Sequence, residues 1–147
     1  MSDTSQALDL AVGALRAHDR SRSDIEERLV RAGVAPGEIR ETLETLERLG
    51  YLDDERFARA RAEELARRGY GNEWIRHDLR EHGVERETAA AAVEALPTEP
   101  ERVVRLVSGS GGASDRRLAA RLQRKGFGAE SVEAALGGAF ADVDERA

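Results

Sequence analysis

The chain has 147 residues, of which 40% are apolar, 35% charged and only 4% aromatic, and its 23 basic and 29 acidic side chains leave a net charge of −6. It contains no cysteine, so neither a disulfide framework nor a thiol nucleophile is available. No signal peptide, lipidation motif or apolar run near the roughly 18 residues of a membrane span can be read, and a cytoplasmic protein without membrane contact is expected.

In chain order, a first helix carries Leu8, Val12 and Leu15 on one face and ends near Asp19. Ser21, with Asp24 three residues on, resembles a capping box with a shorter acid and opens a second helix, which stops at Leu29, Gly33 and Val34. Pro36 fits the first position of a third helix with Glu38 behind it, and Gly50 and Tyr51 end it. Asp53, Asp54 and Glu55 place negative charge at the start of a fourth, which carries Phe57, Ala58, Ala62 and Leu65 to a stop at Gly69 and Tyr70. A fifth runs through Ile75 and Leu79 to Gly83 and Val84, and a sixth through Ala89 and Val93 is closed by Pro97 and Pro100. Glu99 to Val107 makes a seventh, and Ser108-Gly109-Ser110-Gly111-Gly112 reads as a flexible connector. An eighth carries Leu118 and Leu122 to Gly126 and Phe127, and a ninth carries Val132 and Leu136. No stretch has the alternation or the β-branched enrichment of strands, so the class is all-α.

Five of these stops share one spelling: leucine, glycine four residues later, then at once a bulky residue. They are Leu29/Gly33/Val34, Leu46/Gly50/Tyr51, Leu65/Gly69/Tyr70, Leu79/Gly83/Val84 and Leu122/Gly126/Phe127. A left-handed glycine just past a helix end lets the next side chain fold back onto the last turn, so each site reads as a stop with its own hydrophobic clasp. A longer pattern also recurs. Ile25, Leu29, Gly33, Val34, Ile39 and Leu43 return 50 residues on as Ile75, Leu79, Gly83, Val84, Ala89 and Val93, and 43 further on as Leu118, Leu122, Gly126, Phe127, Val132 and Leu136. Leu8, Val12 and Leu15 align with Ala58, Ala62 and Leu65, and Asp19 takes the place of Gly69, where a left-handed backbone is expected.

The chain therefore reads as tandem three-helix repeats, three units and about nine helices, in an elongated curved array. The units are 1–50, 51–97 and 98–140, with a Gly/Ser connector at 108–113 and a disordered acidic tail at 141–147. The connector predicts a third unit hinged to the rest.

Charge is distributed unevenly. Residues 1–100 carry 15 basic and 22 acidic side chains, whereas 101–125 carry 7 basic and 2 acidic. Arg116, Arg117, Arg121, Arg124 and Lys125 crowd one short helix, the best electrostatic candidate for contact with nucleic-acid phosphates or an acidic protein surface; the alternative is a solvated charged face. Trp74, the only tryptophan, stands where the other units have Asp24 and Arg117. Either it is a half-covered packing residue beside Ile75, or with Arg76, His77 and Arg80 it forms a docking hot spot on the middle unit. Catalytic chemistry is not legible: His18, His77 and His82 lack metal-ligand spacing, no serine sits on a glycine elbow, and Gly109 to Gly112 lacks the Gly-Lys-Ser/Thr of a phosphate loop. A protein that is not an enzyme and needs no cofactor or metal is expected.

Four segments resemble the RecX family of bacterial regulators of the RecA recombinase: His18 to Asp24, Gly50 to Ala58, Arg68-Gly69-Tyr70-Gly71 running on to Ile75-Arg76, and Lys125-Gly126-Phe127. Gly50-Tyr51-Leu52-Asp53-Asp54-Glu55-Arg56-Phe57-Ala58 is the most specific, nine consecutive residues matching the family signature. The resemblance implies a curved repeat protein that lodges in the groove of the RecA filament on single-stranded DNA and inhibits ATP hydrolysis, strand exchange and co-protease activity. It adds Arg68, Tyr70, Asp54 and Arg56 as candidate partner contacts, although helix stopping and capping explain most of the Gly50 to Ala58 motif. The family is often basic, and this chain is acidic, so direct DNA contact is the least supported implication. The alternatives are a stand-alone nucleic-acid-binding helical module and a general helical adaptor. Nothing read here requires more than a monomer.

Overall fold

Helices form where the apolar spacing places them, and most of them stop or start for a chemical reason visible in the sequence. In the computed structural model, which describes residues 3–108 and 115–144, with side chains over 4–108 and 116–136, unit 1 consists of α1 (Asp3–Ala17), α2 (Arg22–Arg31) and α3 (Pro36–Arg48). Unit 2 consists of α4 (Asp54–Arg67), α5 (Asn72–Glu81) and α6 (Arg86–Glu94), and unit 3 of α7 (Glu99–Ser108), α8 (Asp115–Arg124) and α9 (Ala129–Asp144). Ser21 Oγ accepts from the Asp24 N–H at 3.1 Å and Asp53 from the Arg56 N–H at 3.1 Å, each satisfying a donor that the first turn leaves unpaired.

All five glycine stops are left-handed, with φ between 75° and 90°. In each, the residue after glycine donates its N–H to the leucine five positions back, as in Val34 to Leu29 at 3.1 Å and Phe127 to Leu122 at 3.0 Å. Two local expectations are corrected. Asp19 is not left-handed, since no described residue other than glycine has a positive φ; α1 instead ends early, with Arg20 Nε bonded back to the Ala14 carbonyl at 3.3 Å. Tyr51 does not act as a clasp: it is 49% exposed, and Leu52, at 3%, enters the core in its place.

Each unit closes around its own core. Ala7, Ala11, Ile25, Leu29, Leu43 and Leu46 fill the first, Phe57, Ala62, Leu65, Ile75, Leu79 and Val93 the second, and Val103, Leu118, Leu122, Phe127 and Val132 the third. Every substantial helix pairing lies within a unit, α1 on α3, α4 on α6 and α7 on α9. The molecule exposes 9587 Å², against roughly 7400 Å² expected of a compact monomer of this mass, as an array of separately cored units would. The expected connector, 108–113, lies outside the described residues apart from Ser108, which ends α7. It interrupts unit 3 between α7 and α8 and does not separate unit 3 from unit 2, and these two units are tied by hydrogen bonds, contrary to the expected hinge. α9 continues through 141–144, a stretch expected to begin the disordered tail.

Candidate partner-binding surface

Four of the side chains singled out in the sequence, Arg68, Tyr70, Trp74 and Lys125, meet at the joint between units 2 and 3. There the glycine corner of unit 3 seats on the start of α5: the Gly71 N–H donates to the Lys125 carbonyl at 2.7 Å and the Glu73 N–H to the Gly126 carbonyl at 3.1 Å. No side chain fits between them. A Cβ on Gly71 would stand 2.3 Å from the Phe127 nitrogen, and one on Gly126 would stand 2.5 Å from the Trp74 nitrogen and Cβ. The Trp74 backbone is pressed against Gly126, and its ring stacks on Tyr70 at 4.8 Å and 17° and stays 42% exposed. Lys125 Nζ lies 5.1 Å from the centre of the Tyr70 ring, and the Arg68 guanidinium 5.9 Å. These distances let the positive charges meet the ring's electron-rich faces.

The joint thus brings Lys125 up to Arg68, Tyr70 and Trp74, a cluster far from it in sequence. Lys125 also donates to the Arg68 carbonyl at 3.3 Å, so it belongs to the joint and not to the basic face of α8. Arg76, His77 and Arg80 are exposed along α5, His77 lying 3.7 Å from Glu81. Arg116, Arg117, Arg121 and Arg124 are exposed on α8.

Asp54 and Arg56 are employed inside the molecule. Asp54 accepts the Arg22 N–H at 2.8 Å, joining unit 2 to unit 1. Its carboxyl is pushed above the ordinary aspartate range by burial, which outweighs that hydrogen bond. Arg56 donates to the carbonyls of Gly50 and Tyr51 at 3.0 and 3.2 Å and stands 3.7 Å from Asp19. Sequence reasoning missed Glu99 and Arg102, 8% and 6% exposed at the joint. On sequence they look like an ordinary first-turn acid and a surface arginine, and no local signal marks them. Burial lowers the Arg102 pKa, with the nearby Glu99 charge acting against that shift.

Among the described residues, no cluster of His, Asp or Glu could hold a metal, and no helix is long and apolar enough to cross a membrane. The fold and the joint define a helical-repeat protein that displays an aromatic and cationic surface between two of its units. Residues 53–93 match the family model described as RecX, second three-helix domain. The regulatory protein RecX of Halorhodospira halophila is 34% identical over 146 residues, covering 94% of this chain and 90% of the relative. That of Xanthomonas axonopodis pv. citri is 34% identical over 133 residues, covering 85% and 82%. The crystal structure of RecX from Lactobacillus salivarius has the same fold, with a TM-score of 0.81 at 20% identity over 92% of this chain and 96% of that one. The chain belongs to the RecX family of regulatory proteins.

Proposed function

We propose that this protein regulates recombination and repair in the cytoplasm by binding the RecA filament on single-stranded DNA as a monomer, without chemistry of its own, and so inhibits ATP hydrolysis, strand exchange and co-protease activity. Family membership supports the regulatory role, and the half-exposed Trp74 stacked on Tyr70 is the observation that carries the docking surface. Exposed tryptophan beside arginines is the composition of a binding hot spot, since a large rigid ring loses little entropy on contact. Arg68 reaches the same Tyr70 ring, and Arg76, His77 and Arg80 are exposed on the helix that carries Trp74. An array of units can also engage successive protomers of a filament, so that modest contacts add through effective concentration. Asp54 and Arg56 act here by holding the array together.

The decisive experiment titrates the purified protein into RecA hydrolysing ATP on single-stranded DNA and measures binding to the same DNA without RecA. Loss of hydrolysis without appreciable binding to free DNA is expected. Tight DNA binding with no effect on RecA would instead favour a stand-alone nucleic-acid-binding module, for which the exposed arginines of α8 are the supporting observation. In that case about three neutralised phosphates, at Arg116, Arg121 and Arg124, should give a slope of log affinity against log salt near −2.

A further inference from the structure

The joint between units 2 and 3 contains one carboxylate that serves two helices. Glu99, at the start of α7, accepts the Asn72 N–H at 2.8 Å with Oε1 and the Gly128 N–H at 3.1 Å with Oε2. The first donor opens α5 of unit 2 and the second immediately precedes α9 of unit 3, so the positive ends of two helices in different units converge on one anion. Arg102, one turn along α7, completes the arrangement: it donates to Asn72 Oδ1 and to the Tyr70 carbonyl, both at 2.5 Å, and covers the Phe127 ring at 5.4 Å. All of these contacts meet beside Gly71, whose neighbours are Tyr70 and Asn72. Four residues from Tyr70 stands Trp74, and on the far side α8 ends against Lys125.

We infer that Glu99 is the positioning residue of this array: Oε1 ties unit 3 to the start of α5 in unit 2 while Oε2 ties α7 to the start of α9 within unit 3, so that the Tyr70 and Trp74 stack and the arginines of α8 act as one composite surface. The inference rests on the docking reading above and deepens it. The role requires two acceptors in one side chain. Glutamine supplies one acceptor and one donor, so whichever way its amide turns, an NH₂ faces a backbone N–H. Glu101 is the built-in control, because on the same helix it accepts only from Thr98 at 3.0 Å, which a glutamine carbonyl also does.

Since the chain has no cysteine, two introduced at exposed Arg59 of α4 and Glu133 of α9 take spin labels uniquely, and pulsed electron resonance reads the distance between units in the full chain. Glu99→Gln is expected to displace or broaden the distance distribution with helicity retained, and to weaken RecA inhibition about tenfold. Glu101→Gln should match the parent in both. Should Glu99→Gln fail to fold, Gly71→Ala drives the same joint apart from the other side, its Cβ forced to 2.3 Å from the Phe127 nitrogen. Undisplaced distances in the folded variants overturn the positioning role, and displaced distances with full inhibition overturn the composite surface. A parent protein with no effect on RecA sinks the docking reading alone, and the distance measurement still decides the joint.

Discussion

The two joints of the array follow one plan and differ in which atoms supply it. In both, the glycine corner of the later unit seats on the start of the second helix of the earlier one. At the first joint a side chain makes the bridge, Ser21 Oγ donating to the His82 carbonyl at 2.5 Å; at the second, Gly71 occupies the equivalent position and its own N–H donates to the Lys125 carbonyl at 2.7 Å. In both, a carboxylate accepts the next N–H at 2.8 Å, Asp54 from Arg22 and Glu99 from Asn72. Three residues further along, the plans part. Asp24 accepts from His82 Nδ1 at 2.8 Å; the other ring nitrogen stands 3.8 Å from Asp78, which is held by Arg61 through two bonds of 2.8 and 2.9 Å. Trp74, at the equivalent place, makes no such bond and is left to stack on Tyr70. A repeat position spent on cohesion in one unit is released for display in the next.

The comparison can be broken most sharply at the corners. Gly83 and Gly126 combine a left-handed backbone with neighbours at 2.3 Å (Ser23) and 2.5 Å (Trp74), whereas Gly33 is equally left-handed and a Cβ there meets nothing within 4 Å. Gly83→Ala and Gly126→Ala should each lose about 3 kcal/mol in urea unfolding, from strain and overpacking together, and Gly33→Ala only about 1 kcal/mol. Equal losses at all three would make the corners mere helix stops.

A second contrast sets Asp24 against Trp74. Trp74→Ala should weaken RecA inhibition about tenfold, as a loss of roughly 1.4 kcal/mol would, with the unfolding midpoint unchanged. Asp24→Ala should do the reverse, loosening the first joint and leaving inhibition per folded molecule intact.

The Arg61 and Asp78 pair gives a smaller effect that depends on pH. Burial alone would raise the Asp78 carboxyl, but the hydrogen bond and charge of Arg61, with His82, outweigh it and hold the group below its ordinary value. A depressed pKa contributes stability above the unfolded value of 3.8 and loses it as pH falls through the folded one. Asp78→Asn should therefore cost about 1 kcal/mol at neutral pH, because Arg61 loses its charged partner, and nothing in strong acid. Asp54 has the opposite sign. Its raised pKa favours the protonated form, whose contribution is complete below 3.8 and fades as pH rises through the folded value. Asp54→Asn keeps an acceptor for Arg22 and should change neutral stability by less than about 0.5 kcal/mol, while flattening the mildly acidic part of the stability profile.

Helix positions, the five glycine stops and the three-unit repeat were legible because each depends on residues within one or two turns. Leucine, glycine and the following bulky residue specify a left-handed cap without help from the rest of the chain. Tyr51 and Asp19 misled for the same reason: at Tyr51 the choice of which neighbour enters the core fell to Leu52, whose direction is set by packing with α1 and α3, and at Asp19 the chain left the helix early through Arg20. That Trp74 stands where the other units carry Asp24 and Arg117 was visible in the sequence, but its stacking on Tyr70 was not, because that depends on the rotamers of two side chains.

By itself the sequence determined the all-α class, the rhythm of the helices, their stops and the family, since local backbone preference and apolar period act over a few residues. Only the tertiary structure decided that Glu99 and Arg102 are buried, that Lys125 belongs to a joint, and that Asp54 reaches across to Arg22. Those outcomes depend on desolvation and on acceptors meeting donors 27 or more residues away, and a buried charge is tolerated only where the fold assembles its partners.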